Sequence, residues 1–293
     1  MFTEPLKDRL KKESFYLVYY IYSSGKAIPN WGRLWDKFDR KIFELPQSEK
    51  ITIVNAKRYL ELILMKYNEA EGVLRCDIAR LFRRDSKFLK PQFQKTDSQK
   101  FRYAEIVRKR AHSLGSFFWS LDGMLDLLAT MLTFLICVQP DQKFTFDKLK
   151  RTLKKNKDGI IKADFKNQHN LKGLASLINH EVDSFKMYDT INIYRNFFSH
   201  NARYLQFLWK KKSYMVNLVD TYISLERERK IADAVKKYKN LEKLVELEYV
   251  IDKPIDKWTN DIFLQTRQFL SSIFKIIDNS IPIWIKVVEV IND

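Results

Sequence analysis

Turn-forming residues are scarce in this chain. Among 293 residues, glycine and proline occur only seven times each. A β-sandwich or barrel needs a turn after every short strand, so this scarcity argues against those folds and for long helices with few connections. Cysteine is almost absent. Cys76 and Cys137 stand far apart in sequence, which gives neither a disulfide framework nor metal-ligand spacing, and the compartment expected is a reducing cytoplasm. The stretch from Met1 to Arg9 holds no apolar segment of the signal-peptide kind. The most hydrophobic run, Leu127 to Val138, falls short of the roughly 20 residues a membrane span needs, and Asp122 and Asp126 precede it. A soluble protein with no membrane partner is expected.

Most catalytic signatures are missing too. No glycine-rich phosphate loop of either the NTPase or the dinucleotide type occurs. The four histidines, His112, His169, His180 and His200, lack the spacing of a zinc site. There is no nucleophile elbow and no clustered Asp-x-Asp pattern for a two-metal nuclease. The chain is therefore expected to use no metal and no cofactor.

Positive charge is abundant. The formal net charge is +17, a surplus that suits a polyanionic partner, either nucleic acid or an anionic membrane surface. Lys, Asn and Ile are also favoured by AT-rich genomes, a second source of the same bias. With 45% hydrophobic residues the chain has material for a core, so disorder is not the default.

Hydrophobic periodicity fills in the architecture. Phe15 to Tyr22 is aromatic and β-branched, and reads equally as a strand or a buried helical turn. Trp31, Leu34, Trp35, Phe38 and Ile42 recur at helical spacing and read as core. Leu45-Pro46-Gln47 is a break, with Ser48 the expected N-cap of a helix from about Glu49 whose apolar side holds Val54, Leu60, Leu62, Ile63 and Met65. Residues 75–110 are basic, with a loop expected from Pro91 through Gln99. They form a solvated connector or a phosphate-tracking surface. Another helix is expected from about Arg108 to Val138, with Phe117, Leu121, Leu125, Leu128 and Leu132 on one face and Ser113, Ser116, Ser120 and Gly123 beside it. Asp122 on this helix is either a group that orients a functional side chain or an ordinary surface or ion-pair residue. Further helices are expected at Leu171 to Ile178, Glu226 to Glu248 and Phe263 to Ile277, with Ile281-Pro282 setting off a tail from Ile283 to Ile291. His180 reads as a capping or surface group.

One helix, from about Asp183 to Asn201, gathers chemistry. Ile191, Tyr194 and Phe198 make its apolar stripe, while Arg195, Asn196, Ser199, His200 and Arg203 crowd its C-terminal end. Asn196 and His200 are four apart and lie one above the other; Arg195 and His200 are about 140° apart, within reach of a long guanidinium. Arg195-Asn196-x-x-x-His200 near a helix end, in an all-helical chain, resembles the HEPN superfamily and its R-x4-6-H signature. That resemblance implies an all-α, HEPN-like helical bundle. The bundle would occupy residues 101–293, preceded by a mostly helical region at 1–100. It also implies a metal-independent endoribonuclease of phage-defence or toxin–antitoxin type. Arg195, His200 and Asn196 would be its catalytic residues, and RNA its substrate. It would act as a homodimer with the two motifs facing each other, and an antitoxin protein is a further partner that such a setting implies. An early long helix of such bundles packs against the motif helix, which nominates the helix carrying Asp122 and makes Arg195 or His200 the group that carboxylate would orient. Arg203, Lys210, Lys211 and Lys212 lie just downstream and would supply RNA-binding charge, or else a solvated loop. The superfamily also includes non-catalytic members, so a helical nucleic-acid-binding or scaffold protein is the alternative.

Overall fold

The computed structural model describes residues 28–80, 96–137, 139, 144–155, 161, 171–178, 187–201, 207–210, 213–216 and 254–284. These residues form an all-α fold. The helices are α1 (Trp31–Glu44), α2 (Gln47–Gly72, continued by the π-helical Val73–Arg80), α3 (Asp97–Ile136), α4 (Phe146–Lys155), α5 (171–178), α6 (Met187–Asn201) and α7 (Ile255–Trp284). A short antiparallel hairpin pairs β1 (Phe207–Lys210) with β2 (Ser213–Val216), Lys210 opposite Ser213. The chain divides into two compact units. Unit 1 takes residues 1–68, 123–185 and 267–293; unit 2 takes 69–122 and 186–266.

Unit 1 is organised on Trp31. Its ring is buried, and its Nε1 donates to the carbonyl of Leu60 at 3.0 Å, which satisfies the one polar atom the ring carries inward. Leu34 and Phe38 follow it into the core on the expected stripe, while Trp35 faces the rim. There Trp35 Nε1 donates to Glu61 at 2.9 Å and Lys57 lies 3.9 Å over its ring. The apolar side of α2 runs through Ile53, Ala56, Leu60, Ile63, Leu64 and Tyr67. Val54 and Met65, expected on that side, are exposed instead: the buried residues keep a three- and four-residue rhythm, and both fall off it. The helix also begins at Gln47, ahead of the expected Ser48 cap, because Pro46 supplies the carbonyl that accepts from Lys50 N. α4 is capped twice. Thr145 Oγ1 accepts from Lys148 N at 3.3 Å, and Asp126 Oδ1 accepts from Phe146 N at 2.8 Å.

Two further expectations change. The stretch expected as loop up to Gln99 already belongs to α3, which starts at Asp97. A capping box sets that start: Thr96 Oγ1 accepts from Gln99 N at 3.3 Å and Gln99 Oε1 accepts from Thr96 N at 3.1 Å. At the other end of the chain, α7 runs to Trp284 and so passes through Pro282 rather than ending before it. Proline has no N–H for the carbonyl four residues back, which is that of Asp278. Lys37 Nζ donates to that carbonyl in place of the missing partner. The buried Asp278 carboxylate is held by the same ammonium at 3.0 Å and by Arg33 Nε at 2.8 Å. One lysine thus compensates both a backbone acceptor and a buried charge.

α3 is long and apolar enough to cross a membrane by length and composition, but most of its apolar window is buried within the protein. The expectations for Phe15 to Tyr22, for the loop at Pro91, for Glu226 to Glu248, for His180 and for the tail beyond Trp284 lie outside the described residues.

Lys37→Met removes the hydrogen bond to the Asp278 carbonyl and the ion pair with its carboxylate, and is expected to cost about 2–3 kcal/mol in denaturant unfolding. Adding Pro282→Ala returns an N–H to the orphan carbonyl and should recover part of that loss. If Lys37→Met unfolds at the wild-type denaturant midpoint, the Lys37–Asp278 account is wrong.

Candidate functional site

Unit 2 builds its core on Phe118 of α3. The ring stacks on Tyr194 and Phe198 of α6, with centroids 5.2 and 5.7 Å away, and tilts against Trp258 of α7 at 5.5 Å. Tyr194 meets Trp258 edge-on at 4.5 Å. All four side chains are buried, and each such aromatic pair adds about 0.5–1.5 kcal/mol beyond its burial. Gly115, one turn earlier on α3, lets α6 approach: a Cβ there would stand 3.3 Å from Phe198 Cβ. Close approach of α3 and α6 is the pairing expected of the long helix and the motif helix. The contact runs through Gly115 and Phe118 rather than through the serine stripe.

This packing brings Asp122 to Arg195. Asp122 is 3% exposed, one turn beyond Phe118, and its Oδ2 accepts from Arg195 Nη1. The structure places Asp122 against Arg195, a contact that both readings of Asp122 allow. The guanidinium is held from its other edge as well. Nε and Nη2 both donate to Asn196 Oδ1, at 3.3 and 3.0 Å. Neighbouring residues on a helix do not ordinarily face each other, so the arginine side chain folds back across the helix surface to make this contact. Asn196 is oriented in turn by Asn192, whose Oδ1 accepts from Asn196 Nδ2 at 3.2 Å. Arg195 keeps 26% of its side-chain surface exposed and lies 5.5 Å from the ring centroid of Trp119. The result is a cation fixed by a carboxylate and an amide, open to solvent on one side and bordered by an indole.

His200 lies on the last turn of α6, five residues beyond Arg195. Its side chain, and that of Ser199, are outside the described residues, as are Arg203, Lys211 and Lys212. Lys210 ends β1 and so has strand backbone; the stretch was expected to carry RNA-binding charge or else to be a solvated loop. Its aromatic and β-branched residues carry strand preference, but the two lysines that join the strands give none of the usual tight-turn signal. Among the described residues no cluster of His, Cys, Asp and Glu is disposed to hold a metal ion.

The residue that sequence reasoning passed over is Trp119. At 100° per residue it falls roughly 160° from the centre of the Phe117–Leu132 apolar face, so a large aromatic stands on the wrong side of its helix. That phase mismatch was the available signal. Compared with protein-family models, curated proteins and solved structures, the chain matches none.

A double-mutant cycle tests the pair. Arg195→Met alone leaves a buried carboxylate without this cation and is expected to cost about 3 kcal/mol. Asp122→Leu with Arg195→Met should cost less than the sum of the single changes, with a coupling of at least about 1 kcal/mol. Additive losses in chemical denaturation would show that the two side chains do not support each other.

Proposed function

We propose that the chain is a HEPN-like, metal-independent endoribonuclease that cleaves RNA through its own 2′-hydroxyl. In that reaction the 2′-oxygen attacks the adjacent phosphorus and the 5′-oxygen departs. A base removes the 2′ proton, an acid protonates the leaving oxygen, and a cation stabilises the charge that builds on the phosphorane oxygens. His200 takes part in proton transfer, since an imidazole titrates near neutrality. Arg195 is the cation, and Asn196 and Asp122 position it. One imidazole is not enough for both proton transfers, so the active form is a two-fold homodimer that brings two motifs together. The observation that carries the reading is the arrangement around Arg195. A guanidinium fixed on two edges and partly open to solvent is organised in advance for a phosphate, and a flexible surface arginine is not. The chain's positive charge suits the same substrate. A defence or toxin–antitoxin setting, with an antitoxin as regulator, is part of the proposal.

One observation favours a second reading. Asp122 neutralises Arg195 inside a single chain. In a non-catalytic helical binding or scaffold protein this ion pair would simply lock α3 to α6.

The two separate by experiment. With chelator present, purified wild-type protein should cleave all-ribose RNA, and a 2′-deoxy nucleotide at the cut position should block it. His200→Ala and Arg195→Ala should each lower the rate by at least about a hundredfold, the scale of a lost proton-transfer or oxyanion-stabilising group. Asp122→Asn should lower it by a smaller factor, with helicity kept by circular dichroism. Wild-type protein that leaves RNA intact, or variants that cut it equally well, would leave the scaffold reading standing.

A further inference from the structure

The exposed side of α3 carries an ordered row of side chains that the cleavage chemistry does not use. Phe101, Arg108, His112 and Trp119 lie within about 20° of one line along the helix and span roughly 27 Å. Phe101 is 75% and Trp119 55% exposed, and Arg108 and His112 are exposed between them. Large aromatics on the solvent side of an amphipathic helix are not there for the core, whose face is already filled by Phe117, Leu121 and Leu125. The acidic residues bordering the row are compensated: Glu105 pairs with Lys109 at 2.7 Å and Asp97 with Lys100 at 3.1 Å. The row therefore presents flat apolar rings separated by cationic and imidazole groups. At its C-terminal end Trp119 stands beside Arg195.

We propose that this row is a track for single-stranded RNA, in which an unpaired base stacks on Trp119 while the adjoining phosphate faces Arg195. Aromatic rings offer every base a π-face, and interleaved cations follow the phosphates, so this combination binds single strands with little sequence preference. A duplex keeps its bases stacked on each other and cannot offer one to Trp119. The track rests on the ribonuclease reading for the identity of the polymer, and it adds the substrate class: unpaired RNA, entering along α3.

The test separates binding from cutting. A fluorescently labelled 2′-O-methyl oligonucleotide of about 12 nucleotides, within the site sizes of such platforms, resists 2′-hydroxyl attack and reports affinity by anisotropy. Full-length wild-type protein should bind it, and bind the same sequence as a duplex about tenfold more weakly. Trp119→Ala should weaken single-strand binding about tenfold, and Trp119→Phe, which keeps a stacking ring, by no more than about threefold. The proposal is overturned if the wild type does not bind the strand, if strand and duplex bind alike, or if Trp119→Ala binds as the wild type does. It is equally overturned if Trp119→Ala alters only self-association in sedimentation, which would assign the indole to a contact between copies of the chain. Trp119-dependent binding by a wild type that fails to cut all-ribose RNA would uphold the track and reject the ribonuclease reading.

Discussion

The packing of Phe118 against Tyr194, Phe198 and Trp258 is the constraint on which unit 2 depends. Four buried aromatic side chains leave two helices little freedom to slide or rotate, because interiors pack at crystal density and large rings have few alternative rotamers. Gly115 sets how close α6 can come and Phe118 sets its rotation. Asp122 and Arg195 then meet as a consequence, one turn from the ring cluster. The aromatic core supplies the free energy, and the ion pair draws on its geometry.

This order of causes matters for the electrostatics. A carboxylate at 3% exposure is expensive to bury and is compensated only with good geometry and further hydrogen bonds. Were α6 free to move, Arg195 would do better in water. Held where it is, it meets Asp122 on one edge and Asn196 on the other, and Asn192 prevents the amide from turning away. In unit 1 the same logic governs Asp278, whose buried carboxylate and proline-orphaned carbonyl converge on Lys37. In both places a buried acid is tolerated because a long cation reaches it from a neighbouring helix.

Much of this was legible in the sequence. Few glycines and prolines, with apolar residues at three- and four-residue steps, gave the all-α class; the stripes of Trp31, Phe117 and Ile191 gave the buried faces. Asp122 stood out as a carboxylate among leucines, and it meets the arginine of the motif. What stayed hidden has physical reasons. Val54 and Met65 are apolar but one step out of phase, and composition does not report phase. Pro282 reads as a terminator because its replacement donor comes from Lys37, far away in sequence. The α3 start depends on reciprocal Thr96 and Gln99 bonds inside a run that is polar throughout. Trp119 and Phe198 share a preference for burial, and the phase of each on its own helix decides which one obtains it.

The ion pair itself does not decide between catalysis and scaffolding. The distinction lies in what the paired arginine has given up. A guanidinium bonded on two edges, with its charge matched by a carboxylate, is still partly open to solvent; what it loses is long-range attraction for phosphate. Such a group recognises phosphate at contact distance and needs other charges to bring the polymer in. In this chain those charges are plentiful and lie elsewhere in the sequence, among the 53 arginines and lysines behind its net charge of +17. A non-catalytic nucleic-acid binder would need only the diffuse attracting surface. An enzyme acting on a polyanion needs both, because steering charge placed at the reacting phosphate would hold the ground state as tightly as the transition state.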